Sequence, residues 1–134
     1  MGAQFLVLLA DANRQIQIAD YLLTVTYPVV KDPKLLLSVV EHSRRAIEDA
    51  MQTLSEDAKK NTPHYQEAQA LCNELRLTLQ QHKEALTEFA RHESLVIAND
   101  GFTVLKEINP VALKTNLRVV KQFVAAVYQQ GEER

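Results

Sequence analysis

The chain is poor in several residues that carry chemistry. Of its 134 residues only Cys72 is a cysteine, and glycine occurs only at positions 2, 101 and 131. One cysteine excludes an intrachain disulfide and a zinc knuckle, and it is the usage of a reducing cytosol. Three scattered glycines exclude a phosphate-cradling Gly-rich loop and a Gly-x-Ser-x-Gly nucleophile elbow. No Glu-x-x-His pair occurs, so the ligand set of a di-iron bundle is missing. His42, His64, His82 and His92 show no close ligand spacing, and neither a metal nor a cofactor is expected. Positive charge is not in excess either: 15 Lys and Arg stand against 17 Asp and Glu, for a net charge of −2. Affinity for phosphate backbones rests mainly on surplus Lys and Arg, so the balance argues against a nucleic-acid partner. Uninterrupted apolar runs of ~18 residues are absent, so no membrane span is expected. The run F5-L-V-L-L-A10 resembles the centre of a signal peptide, but it lacks a basic leader and continues as an amphipathic repeat. A cytoplasmic protein is the expectation.

What the sequence does have is helical periodicity. Four segments carry apolar residues at alternating spacings of three and four, the repeat of a helix with one buried stripe. The first is Phe5, Leu9, Ala12, Ile16, Ala19, Leu23, Thr26, expected to stop at Tyr27-Pro28 because a residue before proline is pushed out of the helical region. The second is Leu36, Val40, Ser43, Ile47, Ala50, Leu54, and polar residues from Ser55 to Asn61 should end it. The third is Tyr65, Ala68, Cys72, Leu75, Leu79, His82, Leu86, Phe89; the fourth is Leu113, Leu117, Val120, Val124, Val127. Asp32-Pro33, Thr62-Pro63 and Asn109-Pro110 read as N-caps followed by proline at the first helical position. Gln129 to Arg134 reads as a frayed tail. Length and the lack of linkers predict one domain, residues 1–134, and short connections make the first three helices antiparallel. The expected fold is mainly α: an up-and-down four-helix bundle with a β-hairpin insert at about 93–108 between helices three and four.

The insert L95-V-I-A-N-D-G-F-T-V-L-K-E-I108 stands out from its helical surroundings. Val96, Ile97, Phe102, Val104 and Leu105 prefer strands, and Asn99-Asp100-Gly101 tolerates the positive φ of tight turns. Strands at 95–98 and 102–106 are expected, with Gly101 supplying the positive φ. A lone ribbon is marginal, so it must lie on the bundle as a lid or pair with another chain.

Two blocks, A19-D-Y-L-L-T-V-T-Y-P-V-V-K-D-P-K-L-L-L37 and H82-K-E-A-L-T-E-F-A-R-H-E-S-L-V-I-A-N-D100, resemble a family of small archaeal helical proteins with no assigned activity. The resemblance runs through most of the chain in the same order. Tyr21 stands where that family's pattern has a histidine, so a site using the histidine would be altered here. R76-L-T-L-Q-Q-H82 also resembles the Arg-x4–6-His motif of HEPN domains, helical bundles that often dimerise and some of which cut RNA. Leu77 replaces the asparagine often found beside that arginine. The resemblance implies His82 as base near a 2′-hydroxyl and Arg76 as the cation on the phosphate.

Periodicity gives a competing role. Six positions place Arg76 and His82 about 120° apart around a helix, with His82 on the buried stripe. Asp20, Ser43 and His82 come to similar heights in antiparallel helices and are expected to form a polar core layer, since buried polar groups must find partners. Cys72, on an apolar stripe, reads as an inert thiol. Phe5 to Leu9 wrap the first helix with more apolar surface than one stripe needs, which predicts a homo-oligomer. The functional expectation is a non-enzymatic bundle acting through protein contacts and self-association. The alternative is a HEPN-like ribonuclease or toxin-type enzyme using Arg76 and His82.

Overall fold

A computed structural model describes residues 2–132. The protein is mainly helical and carries a small antiparallel sheet. Helix α1 spans Ala3–Tyr21 and buries Leu9, Ala12, Gln15, Ile16 and Ala19 along one face. It does not stop before Pro28. Leu22–Thr26 widens into a π-helical turn, in which the Tyr27 N–H reaches the Leu22 carbonyl, and α2, Tyr27–Val30, carries on to a left-handed Lys31. The missing N–H and the ring of a proline clash with a regular helix, and a widened turn relieves that clash.

Helix α3, Leu35–Gln52, buries Leu36, Val39, Val40, Ser43, Ala46, Ile47 and Ala50. The Asp32 carboxylate accepts the Lys34 N–H at 3.0 Å, so the start signal lies about two residues before the regular helix. The polar run after α3 is a short helix instead of a loop. This is α4, Glu56–Asn61, capped by Ser55, with acids in its first turn and lysines in its last, the order that suits the helix dipole. Helix α5 spans Tyr65–Glu84. Thr62 does not cap it; its hydroxyl turns back to the Ala58 carbonyl and meets Gln130. Helix α6, Pro110–Glu132, starts where Asn109-Pro110 predicts, with the Ala112 N–H on Asn109 Oδ1 at 2.7 Å. It runs through the expected tail to Glu132; residues 133 and 134 lie outside the described residues. Helix α3 is central and packs against α1, α5 and α6.

The largest departure from expectation is at the end of α5. The helical stripe that continues through Leu86 and Phe89 is broken at Ala85, which is extended, and Thr87–Arg91 is strand β1. Strands β2, Ser94–Ala98, and β3, Val104–Ile108, complete a meander in the order β1-β2-β3. The predicted hairpin is therefore present, with its second strand at Val104–Ile108 instead of 102–106, but it forms two thirds of a larger sheet. A fully buried strand needs a hydrogen-bonding neighbour on each side. All five residues of β2 are buried, and β1 satisfies its second edge. Leu95, Ile97 and Ile108 face the helices and join their core.

Gly101 is not the left-handed residue of the β2–β3 loop; Phe102 is, at φ 58°. Asn99 Oδ1 accepts the N–H groups of both Gly101 and Thr103 at 3.0 Å, building a turn from Asn99 that leaves the left-handed position to the third loop residue. A type I turn followed by one left-handed residue is a common three-residue hairpin connection.

Candidate interaction surface and polar clusters

The proposed polar core layer does not assemble. His82 lies in the last turn of α5 with its side chain 39% exposed, and its Nδ1 donates to Glu88 Oε2 of β1 at 2.6 Å. Asp20 sits beside Lys121 of α6 at 3.4 Å. Ser43 is buried on α3, and its Oγ has no hydrogen-bond partner among the described residues. Because α5 ends two residues after His82, the chain folds back beside the histidine and brings Glu88 to it. Solvent and Glu88 replace the partners expected from the first two helices.

Arg76 is clamped across the α3–α5 seam. Its Nε and Nη2 both reach Glu48 Oε1, at 2.7 and 2.5 Å, and Glu48 also takes Arg44. Contact with this carboxylate holds the Arg76 guanidinium above its ordinary pKa. Burial pushes the nearby Cys72 thiol up, which keeps it protonated and inert. Arg76 and His82 nevertheless line one open cleft of about 560 Å³ together with Glu41, Arg44 and Lys83.

A second cluster, which the sequence reading missed, lies between α1 and α3. Gln15, only 2% exposed, accepts a hydrogen bond from His42 Nδ1 on Oε1 at 2.5 Å. One turn earlier, Asp11 holds Arg14 at 2.5 Å and meets the carboxyl of Asp49. Burial, then the neighbouring Asp11, push Asp49 up to about 7. The interaction with Asp49, then Arg14, hold Asp11 down to about 2. The two carboxyls thus share one proton in mildly acidic solution, held by Asp49, and the pair is about half deprotonated from that state at neutral pH. Burial, then Arg45, lower the His42 imidazole. The available signal was spacing: Asp11 and Gln15 are one turn apart, and His42 and Asp49 are seven apart on a facing helix.

The third feature is the far side of the sheet. Glu88 and Lys106 face α5, where Lys106 Nζ meets Glu74 at 3.0 Å and Glu88 meets His82. Tyr27 adds a bond from its hydroxyl to the Glu93 carbonyl at 2.6 Å. On the opposite side the Arg91–Glu107 pair, 2.9 Å, crosses over β2 and covers the buried Val96. Phe89, Val104 and Leu105 stay exposed around it, and Phe102 at the loop tip is 68% exposed. On α1, Leu6 and Val7 are exposed, but Leu9 is buried and Phe5 packs against the core, so only part of that wrap is free.

No protein-family model, no curated protein and no solved structure matches this chain. No helix among the described residues is long and apolar enough to cross a membrane.

Proposed function

We propose that the chain is a non-enzymatic interaction module that acts through protein contacts and self-association. In this reading the long helices α1, α3, α5 and α6 form an up-and-down bundle that presents the sheet. The carrying observation is Phe102. A bulky aromatic in a left-handed conformation is strained by about 1 kcal/mol or more, and such strain is typical of functional positions. Here the strained side chain projects into solvent at the tip of a sheet that also exposes Phe89, Val104 and Leu105, so its packing within the chain does not explain it. Grouped exposed apolar residues on a sheet fit a protein contact better than a solvated surface. Sedimentation velocity over a wide concentration range tests the reading. The expected result is a mass that rises with concentration; a monomer throughout removes self-association.

A second reading has one observation in its favour, the cleft shared by Arg76 and His82 with Arg44 and Lys83. There His82 would take the proton of a ribose 2′-hydroxyl and Arg76 would hold the phosphate. Glu48 and Glu88 compete for both groups. Cleavage of RNA by the wild type and its loss in His82→Leu would favour this reading over the first.

A further inference from the structure

We infer that the free edge of β1 is the self-association surface, pairing antiparallel with the β1 of a second copy about a two-fold axis at Phe89. This rests on the self-association reading above and names its surface. The register decides the argument. β1 and β2 are joined by a two-residue turn, His92-Glu93, flanked by the pair Arg91↔Ser94. A pair that closes a two-residue turn exchanges hydrogen bonds, and bonded and non-bonded pairs alternate from there. Arg91, Phe89 and Thr87 therefore spend their N–H and C=O groups on β2, while Glu88 and Ala90 aim theirs at the open edge.

The two outer edges of the sheet are not equivalent. β3 carries a bulge opposite Ile97/Ala98, and its Lys106 is tied to α5. Bulges and charges are the usual devices that blunt an edge. β1 has a regular register over its whole length, and its residues from Glu88 to Arg91 are exposed.

An edge whose free groups belong to Glu88 and Ala90 is complementary to itself. With Phe89 on the axis, Glu88 lies opposite the partner's Ala90, and the two exchange both bonds, twice by symmetry. Phe89 then meets the partner's Phe89 in a non-hydrogen-bonded pair, the arrangement in which opposed side chains come closest. Charge selects the direction. Glu88 is the strand's acid and Arg91 its base, so a parallel pairing would run like charge beside like. Moving the axis to Glu88 would set that carboxylate against the partner's Glu88, which is destabilising. The Phe89 axis keeps both outer faces on one side, so the exposed apolar residues of two copies form one surface.

The test combines cross-linking with mass. Phe89→Cys places thiols at a pair whose Cα separation in antiparallel sheets, about 4.5 Å, permits a disulfide. Mild oxidation should convert this variant to a covalent dimer, whereas the wild type, with Cys72 buried, should remain uncross-linked. Ala90→Pro deletes an N–H that β2 does not use, and should raise the dimer dissociation constant by roughly tenfold or more with little change in melting temperature. A wild type that dimerises while Phe89→Cys fails to cross-link and Ala90→Pro dissociates no more readily would overturn this edge and leave self-association standing. A wild type monomeric at every concentration would overturn both.

Discussion

The α1–α3 seam and the seat of the sheet on α5 are held together by different means. Between α1 and α3, fully buried Ala12, Ala19, Ala46 and Ala50 allow close approach, and the seam carries its own polar contacts, Gln15–His42 and Asp11–Asp49. The sheet meets the helices through Leu95, Ile97 and Ile108, and its flanks are tied to α5 by the solvent-facing pairs His82–Glu88 and Lys106–Glu74. Surface ion pairs contribute little, so the sheet depends on a few apolar side chains. Elements that exchange partners are usually drawn from the less stable part of a fold, and here that part is the sheet.

The strongest way to break this comparison is to remove core volume from the helices and, separately, from the sheet. Phe123 of α6 is wholly buried, and Phe123→Ala should reduce global stability by about 3–5 kcal/mol in urea. Ile97→Ala should reduce stability by about 2–4 kcal/mol. Its effect on hydrogen exchange should be concentrated in 87–108, with α3 amides retaining most of their protection. Equal loss of protection in α3 and the sheet would mean that the two regions open as one unit.

The carboxyl pair offers a pH-dependent test of the tighter seam. The pKa of Asp49 is raised from 3.8 to about 7, so the fold holds its proton more tightly than the unfolded chain does. That contribution is complete below pH 3.8, falls as pH rises through about 7, and is gone above it. Asp11, at about 2, behaves oppositely: its contribution is present above 3.8 and is lost as pH falls toward 2. His42, lowered from 6.5, loses stability as pH falls below 6.5 and so partly offsets Asp49 there. The informative quantity is therefore the difference between wild type and Asp49→Asn, in which His42 cancels. Asparagine donates to Asp11 at every pH, so the variant should gain on the wild type by several degrees of melting temperature between pH 5 and 8. Parallel melting curves across that range would refute a shared proton.

The same two regions explain what the sequence made legible. The stripe Leu36, Val40, Ser43, Ile47, Ala50 and the Asn109-Pro110 start are readable because burial and capping act within a few residues. Strand β1 is not readable in that way. Leu86 and Phe89 prolong the spacing of the third stripe, and only the need of β2 for a second neighbour makes 87–91 a strand. That misassignment also misplaced His82, which was expected between flanking turns of helix and instead stands at a helix end. Asp11 and Asp49 escaped notice because their meeting depends on the rotation of α1 against α3. Gln15, polar and at the edge of a buried face, was the one local clue.

Loop strain sharpens the comparison from the other side. Phe102→Gly places at the left-handed position the residue that adopts it freely, and should stabilise the chain by about 1 kcal/mol in urea. Gly101→Val, by contrast, should have little effect, because Gly101 does not have a positive φ and a Cβ there meets only Asn99 Oδ1, at an ordinary 3.6 Å. A large loss for Gly101→Val, or none of the gain for Phe102→Gly, would reverse the assignment of the turn.

The smallest expected effect is on the ion pair that ties β3 to α5. Lys106 and Glu74 are both partly exposed, with 32% and 54% of their side-chain surface in solvent. Water screens such a pair, and holding two flexible side chains together opposes it, so Lys106→Ala should reduce stability by roughly 0.5 kcal/mol. Whatever the pair contributes should fade between low salt and about 1 M salt, where the screening length is about 3 Å. The wild type and Lys106→Ala should then unfold at the same urea concentration. A deficit near 2 kcal/mol that survives high salt would show that the lysine stem, packed along α5, seats the sheet through its methylenes, and the sheet would then be less separable from the helices than its apolar contacts imply.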